Sequence, residues 1–441
     1  MKGHVTLVAL LVLASAAASA QPAPIRLTVA DAITRGLEHS HRLAEVRARE
    51  EGARAAVDSA AAATKPIVGA TASYSRTNHV TEFSFPQPNG TRLVVYPDVP
   101  DNFISRIAFQ WPIYTAGRTD ALERAAAAEA TAIASDIDIA RADLRFEITR
   151  AYWAAVTARE TLRVLEESTA RVESQLRDAR QRFDVGLIPP NEVTTLAAQR
   201  ARERAQLIEA GNLRDAALID LRRLIGADAD AVIDLVDPIA QPAPAVPAAA
   251  PTAVESALKA RPELRALSAR LMGAELRQQA AAASNKPTIN LTGGVDYANP
   301  NPRIFPRKAE WQESWDVGVN VNWNVFDFGR SKAQIAEAAA AAKATRARIA
   351  ELESVVSADV RQRLLDRESA HAIVAASDEA VNSAVEARRV IADRFGAGVA
   401  TSTDVIVAQV AQLETELART RALANLRLAE ARLERTIGGP R

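Results

Sequence analysis

The chain has 441 residues, and its 54 basic and 54 acidic side chains give a formal net charge of zero at pH 7. A neutral chain without a basic patch is not expected to bind nucleic acid. The sequence contains no cysteine, which excludes disulfide bonds, cysteine-ligated metals and lipid attachment to an N-terminal cysteine.

Residues 1–20 have the pattern of a secretory signal peptide. Lys2 supplies the positive charge, residues 5–13 are apolar, and Ala18 and Ala20 match the small-residue cleavage site. A membrane anchor is the alternative, but the apolar run is shorter than the ~18 residues of a spanning helix. The sequence therefore predicts export from the cytoplasm, with Gln21 as the first mature residue.

The mature chain contains two copies of one pattern. The Gly-Arg pair that ends at Arg118 returns at Arg330, and the glycines Gly186 and Gly226 return at Gly398 and Gly438. The differences 330 − 118, 398 − 186 and 438 − 226 all give 212. This period is too long for a solenoid, whose repeats have ~20–50 residues. We therefore predict two tandem structural units, 21–236 and 252–441, joined by a proline-rich linker, 237–251.

Each copy is predicted to form a helix, two strands, a long helix and a return helix. The first helices, 29–64 and 253–285, end before a Lys-Pro pair, because the residue before proline disfavours helix. The long helices are 118–183 and 330–395, and the return helices follow Pro190 and Ser402. At 1.5 Å per residue a long helix measures ~100 Å, twice a short one. The lengths predict a rod in which two short helices lie beside each long helix.

A heptad pattern supports this packing. Apolar and small residues recur in alternating steps of four and three from Leu144 to Phe183, which is the spacing of a coiled coil. The second long helix is less regular, since Arg363 and Arg367 occupy corresponding positions.

Residues 314–326 give the sharpest strand pattern. Valines and tryptophans alternate with Asn, Asp and Gly, so one face of the strand is apolar and the other polar. This is typical of a strand in a membrane barrel, with lipid on one side, water on the other and aromatic residues at the interfaces. The same alternation predicts strands at about 67–75, 103–114 and 288–298. The predicted lipid-facing aromatic anchors are Trp111, Trp315 and Trp323.

The number of strands predicts an oligomer. Two hairpins give four strands, whereas a sheet in lipid must close and known membrane barrels have at least ~8 strands. Three copies would supply twelve strands, although strand counting alone also permits a dimer or a tetramer. The loops near 81–102 and 300–312 are polar and fit the cell-exterior side. The alternative is a soluble sheet on a core, but the sequence predicts no other β segment to cover the apolar faces.

These features together resemble the TolC-type outer-membrane efflux proteins. The resemblance rests on the duplicated helix–hairpin–helix order, on Gly-Arg at the start of each long helix and on the Arg-Phe-x-x-Gly turns at its end. It implies a mainly α fold with a small membrane β part. In that fold a trimeric 12-strand outer-membrane β-barrel continues into a periplasmic α-helical barrel.

The resemblance also implies a function and a location. Members serve as passive exit ducts of tripartite efflux or type I secretion systems in the outer membrane of Gram-negative bacteria, with most of their mass in the periplasm. Their implied partners are a periplasmic adaptor (a membrane fusion protein) and an inner-membrane RND or ABC pump.

In this family, the turns after the long helices form the periplasmic tip. The resemblance assigns adaptor docking to Val185, Gly186, Leu187 and Gly398. It assigns the entrance gate or its selectivity to Asp404 and Glu192. A simpler alternative, compatible with the first, is that both acids only stabilise helix N-termini, and Thr401 with Asp404 resembles a capping box.

Enzyme motifs are absent from the sequence. It has no HExxH, P-loop, nucleophile elbow or dinucleotide-binding glycine pattern, so no catalytic, cofactor or metal site is expected. His39 and His41 are two residues apart on a predicted helix and do not face each other. Two other functions remain open. A periplasmic coiled-coil adaptor would lack lipid-facing strands, and an envelope-spanning structural protein would not need polar strand faces.

Overall fold

The computed structural model describes residues 24–240 and 250–438. The predicted signal peptide and residues 241–249 of the predicted linker lie outside this part of the chain. The contacts divide the described residues into two compact units. The helical unit contains residues 24–40, 144–240 and 365–432, and the sheet unit contains residues 41–143, 250–364 and 433–438.

Most of the described residues are helical. The helices are α1 (Val29–His39), α2 (His41–Ala62), α3 (Arg118–Asp184), α4 (Pro190–Leu224), α5 (Ala250–Ala260), α6 (Pro262–Ala283), α7 (Arg330–Gly396) and α8 (Ser402–Ile437). In the part of the chain that the structure describes, none of these helices is both long and apolar enough to cross a membrane.

Within residues 24–240 and 250–438, the strands form three separate sheets. They are β1 (Ile25–Leu27), β2 (Ile67–Arg76), β3 (Phe83–Pro86), β4 (Arg92–Tyr96), β5 (Asp101–Tyr114), β6 (Ile233–Leu235), β7 (Thr288–Asn299) and β8 (Gln312–Asn322). Strands β2, β5, β7 and β8 pair in that order as an antiparallel sheet, and β2 and β8 are its edges.

The first helix of each copy is interrupted, whereas the sequence predicted a continuous one. In the second copy, Arg261 is extended and Pro262 opens α6, because proline disfavours helical geometry in the residue before it. In the first copy the extended residue is Ser40. Both predictions of an unbroken helix, 29–64 and 253–285, were therefore wrong.

Both breaks lie against the glycine that follows a return helix. A Cβ on Gly226 would lie 2.6 Å from the Cβ of His39, and a Cβ on Gly438 would lie 2.8 Å from the Cβ of Ala260. These distances are shorter than any real Cβ contact, and both glycines have positive φ angles, 64° and 81°. The repeated glycine thus lets two helix ends meet.

Two of the three sheets were not predicted. Strands β1 and β6 pair in parallel, and β3 and β4 form a hairpin within the predicted loop at 81–102. The expectation of no further β segment was therefore wrong. These strands have only three to five residues, which is too short for a clear alternation to be recognised in the sequence. The buried hydroxyl of Tyr152 attaches β1 to α3 by donating to the carbonyl of Leu27 at 3.0 Å.

The four-stranded sheet has one exposed apolar face. Trp315, Val317, Val319 and Val321 of β8 are 62% to 74% exposed and lie opposite alternate residues of β7. A soluble sheet resting on a core is not supported, because a core would bury these side chains. Strand β8 also ends at Asn322, earlier than the predicted residue 326, and the chain then turns towards α7.

The heptad seam of α3 is buried. Ile148, Ala155, Val172 and Leu176 are at most 2% exposed. Near the end of the helix, Leu176 packs with Leu196 of α4 and Ile406 of α8 in one cluster. The predicted packing of α3 along an apolar seam is confirmed, except that Phe183 at the last seam position is 41% exposed.

Candidate functional site

The turn after α3 has the geometry that its glycine predicts. Gly186 has a φ of 77°, and its N–H donates to the carbonyl of Phe183 at 2.8 Å. The next N–H, of Leu187, reaches back to the carbonyl of Arg182 at 2.8 Å. These two bonds form a Schellman motif, which satisfies the last carbonyls of the helix and reverses the chain.

The turn after α7 repeats this geometry 212 residues later. Gly398 has the same φ of 77°, its N–H donates to Phe395 at 3.1 Å, and Val399 donates to Arg394 at 2.9 Å. A Cβ on either glycine would meet no atom within 4 Å. Positive φ is therefore the reason for glycine at both turns.

The two turns lie in the helical unit and contact each other. The guanidinium carbon of Arg182 lies 5.1 Å from the centre of the Phe395 ring, within cation–π distance. Three apolar side chains beside the glycines are exposed, namely Val185 (70%), Leu187 (73%) and Val399 (66%). Val399 was not identified from the sequence as a tip residue, although the 212-residue offset makes it the equivalent of Leu187 in the second copy.

The carboxylate of Asp404 completes a capping box at the start of α8. It accepts the backbone N–H of Thr401 at 2.9 Å and its hydroxyl at 2.8 Å, while the N–H of Asp404 donates to the hydroxyl oxygen of Thr401 at 3.2 Å. The hydrogen bonds from Thr401, the backbone bond first, lower the pKa of the Asp404 carboxyl below its usual 3.8. The predicted capping box is confirmed.

Glu192 lies at the equivalent position in the first copy but in different surroundings. The residue before α4 is Pro189, which makes no side-chain cap, and Pro190 is the first helical residue. Glu192 lies in the first helical turn and is half-buried. The first return helix thus begins with a proline whose φ is already helical, whereas the second begins with a hydrogen-bonded cap.

Two predicted aromatic anchors occupy equivalent places in the sheet unit. The indole N–H of Trp111 donates to the carbonyl of Thr64 at 3.1 Å, and that of Trp323 donates to the carbonyl of Asn285 at 3.1 Å. Each bond joins the end of a hairpin to the chain that leads into it. The third, Trp315, is 74% exposed on the apolar face.

A strained turn connects each hairpin to its long helix. Ala116 and Phe328 have φ angles of 53° and 55°, and each precedes a glycine that also has positive φ. A left-handed conformation costs a non-glycine residue ~1–2 kcal/mol. At the second junction, Asp327 offsets part of this cost by accepting the backbone N–H groups of Gly329 and Ser331.

Residues 24–240 and 250–438 contain no group of three or more His, Cys, Asp or Glu side chains that could hold a metal ion.

Known proteins resemble this chain along most of its length. The family model described as outer membrane efflux protein matches residues 32–227 and 253–439, one match for each copy. Protein CyaE of Bordetella pertussis is 26% identical over 429 residues, which cover 94% of this chain and 86% of CyaE. Outer membrane protein TolC of Vibrio cholerae is 24% identical over 383 residues, which cover 86% of this chain and 83% of TolC.

Solved channel structures share the fold. The outer membrane protein VceC of Vibrio cholerae superposes with a TM-score of 0.79 at 20% identity, covering 93% of this chain and 96% of VceC. The MtrE outer membrane channel of Neisseria gonorrhoeae gives a TM-score of 0.77 at 20% identity, covering 93% and 89%. The chain therefore belongs to the outer membrane efflux protein family and is an outer-membrane exit duct of the kind used in efflux and type I secretion.

Proposed function

We propose that three copies of this chain form one passive duct, closed by a shared twelve-stranded barrel. The observation that carries this proposal is the four-stranded sheet with an exposed apolar face and two edges, β2 and β8. Unpaired edge groups cannot be satisfied in lipid, so each edge needs a strand from another copy. Three copies supply the twelve strands.

The two long helices give independent support for assembly. Where α3 carries the acids Glu173 and Asp178, α7 carries Val385 and Val390, 212 residues later, which are 38% and 41% exposed. Covering these two valines with another surface would remove apolar area from water and so stabilise an assembly. A neighbouring copy of the chain is the proposed cover.

We further propose that the two glycine turns are the periplasmic tip, where an adaptor docks. Val185, Leu187 and Val399 offer three exposed apolar side chains on backbone turns that the Schellman bonds hold in place. Such a patch suits an apolar helical hairpin of an adaptor. The proposed partners beyond the adaptor are an inner-membrane RND or ABC pump.

The carboxylates of Asp404 and Glu192 are proposed to line the entrance. Three copies of each would place six acids at the tip, which favours cations over anions. Asp404 also caps a helix, whereas Glu192 follows Pro189, which has no backbone N–H to cap, and can favour the helix only through its dipole. The duct is proposed to have no catalytic activity and to take its energy from the pump.

The mass of the assembly tests the trimer. Detergent-extracted protein from outer-membrane fractions is measured by native mass spectrometry, and a mass of three chains is expected. A water-soluble monomer would overturn the proposal.

The faces of β8 test the barrel. Val319→Lys puts a charge on the lipid face at a cost of roughly 2–4 kcal/mol near the midplane. Asn320→Lys, the matched control, puts the same charge on the polar face. We expect Val319→Lys to fail to insert into the membrane and Asn320→Lys to insert normally. Equal insertion of both variants would contradict the face assignment.

A further inference from the structure

The polar face of the sheet carries a charge cluster. Arg106 of β5 lies 2.8 Å from a carboxylate oxygen of Asp296 on β7 and 2.9 Å from one of Asp316 on β8. Gly294 leaves room for this arginine, since a Cβ there would lie 2.8 Å from its Nη2. One arginine thus links three strands.

A second arginine reaches the same carboxylates from outside the strands. Arg303 belongs to residues 300–311, the β7–β8 connection. Its Nη2 lies 2.6 Å from Asp316 and 3.7 Å from Asp296, and its Nη1 donates to the carbonyl of Trp315 at 2.9 Å. The cluster then contains two arginines and two aspartates, and its charge is zero.

The connection is held against the polar face before and after Arg303. Asn301 is 1% exposed, and its amide donates to the carbonyl of Gln312 and the hydroxyl of Ser314, both at 3.0 Å. Arg307 donates to the hydroxyl of Tyr96 at 2.7 Å and to the side-chain oxygen of Asn102 at 3.2 Å. The connection therefore covers Asp296, which is 8% exposed, instead of extending away from the strands.

We propose that Arg303 determines both the width and the ion preference of the duct at its outer end. This inference rests on the proposed function, in which the polar face of the sheet is the wall of the pore. Arg303 holds the connection over that wall and balances the second aspartate. Without it, Arg106 faces two carboxylates, and each chain gains one negative charge at the pore mouth.

The absence of cysteine from the chain allows a direct test in whole cells. Asn320→Cys places one thiol on the polar face of β8, four residues beyond Asp316, or ~13 Å along the strand. Membrane-impermeant methanethiosulfonate reagents, one cationic and one anionic, are added outside the cells. The rates at which they modify this thiol report how easily each charge passes the cluster.

Arg303→Ala in the Asn320→Cys background is expected to raise both rates, and to raise the ratio of the cationic to the anionic rate about threefold at low salt. The change in ratio should shrink at ~1 M salt, where the Debye length falls to ~3 Å, while the gain from greater width persists. Arg303→Gln keeps most of the side-chain volume and should shift mainly the ratio. Lys308→Ala is the matched control, since this exposed residue of the same connection carries the same charge.

Equal rates and ratios in the Arg303→Ala and Lys308→Ala proteins would overturn the role of Arg303. A separate reporter, Val319→Cys, distinguishes this result from failure of the proposed function. Val319 lies on the apolar face, so a thiol introduced there should not react, while the thiol of the Asn320→Cys protein does. If the two thiols react equally fast, the pore wall itself is wrongly assigned. If the Arg303→Ala protein does not reach the membrane, the Arg303→Gln protein is used instead. An unchanged ratio of cationic to anionic modification rates in that protein would then overturn the role of Arg303.

Discussion

The two copies agree in backbone geometry and differ in side-chain chemistry. The glycines at the helix turns share a φ of 77°, and Ala116 and Phe328, two residues before the long helices, have φ angles of 53° and 55°. Around this common backbone, one return helix begins with proline and the other with a capping box. The fold therefore requires particular backbone turns, whereas the helix that follows each turn can be stabilised in more than one way.

The two long helices differ in how much of their apolar surface is buried. Trp153 of α3 is 8% exposed, whereas Leu365 at the equivalent position of α7 is 60% exposed. At this position the first long helix packs within the chain, whereas the second leaves its apolar side chain uncovered. We interpret α7 as the side of the protomer that meets another copy.

The largest expected effect follows from this difference in burial. Ile148→Ala removes a fully buried side chain from the α3 seam and should lower the free energy of unfolding by about 2–5 kcal/mol. Leu365→Ala should leave the helix content and thermal unfolding of the protomer unchanged and weaken the oligomer. Circular dichroism and native mass spectrometry measure the two effects, and equal destabilisation of the protomer by both variants would remove the contrast between the helices.

The second prediction concerns the shared turns. Gly398→Ala should destabilise the turn by about 1–2 kcal/mol, because alanine disfavours a positive φ. Gly396→Ala is the control two residues earlier, where the glycine is helical and its Cβ would also meet no atom. Thermal unfolding and an export assay are the measurements. We expect Gly186→Ala to match Gly398→Ala, and a different outcome at the two turns would show that the copies are not equivalent there.

A smaller effect is expected at the hairpin ends. Trp111→Phe and Trp323→Phe each remove one indole hydrogen bond and should cost about 0.5–1.5 kcal/mol. Trp315→Phe also loses an indole N–H but removes none of these junction bonds. Thermal unfolding of the extracted protein compares the three variants. A loss at Trp315 as large as at the other two would mean that aromatic size, and not the junction bond, matters.

The smallest expected effect concerns ion preference and distinguishes the charge of Glu192 and Asp404 from their role at the helix start. Glu192→Gln removes a carboxylate from the proposed entrance, and Asp404→Asn does the same but keeps an amide oxygen that can accept the capping hydrogen bonds from Thr401. Both should reduce cation preference, measured as the reversal potential in a salt gradient. Unchanged potentials in both variants would leave Asp404 as a helix cap only.

The lowered pKa of Asp404 predicts that the stability of the start of α8 depends on pH. Its pKa is lowered in the folded protein, so its contribution to the start of α8 is fully present above the usual carboxyl value of 3.8. That contribution is lost as the pH falls through the lower folded value. Amide hydrogen exchange at the start of α8 should therefore increase below pH 4 in the parent protein and be insensitive to pH in Asp404→Asn, after correction for intrinsic exchange.

The sequence predicted those features that recur or alternate along many residues. The duplication, the long helices and the face of β8 that contains Val319 all repeat a simple pattern, and the capping box at Thr401 follows a short local rule. The break at Ser40 could not be predicted in this way, because no proline marks it and Gly226, which approaches His39 there, is distant in the sequence. The contacts of Arg303 likewise depend on how a loop folds over a sheet.

The glycine contacts also locate the difference in length between the two halves of the chain. Gly226 and Gly438 differ by 212 positions, but the residues they touch, His39 and Ala260, differ by 221, since 260 − 39 gives 221. The first half is therefore nine residues longer between its first helix and strand β5, and the β3–β4 hairpin lies in that interval. The difference in length between the copies therefore lies in this connection, whereas equivalent helices agree in length to within one residue.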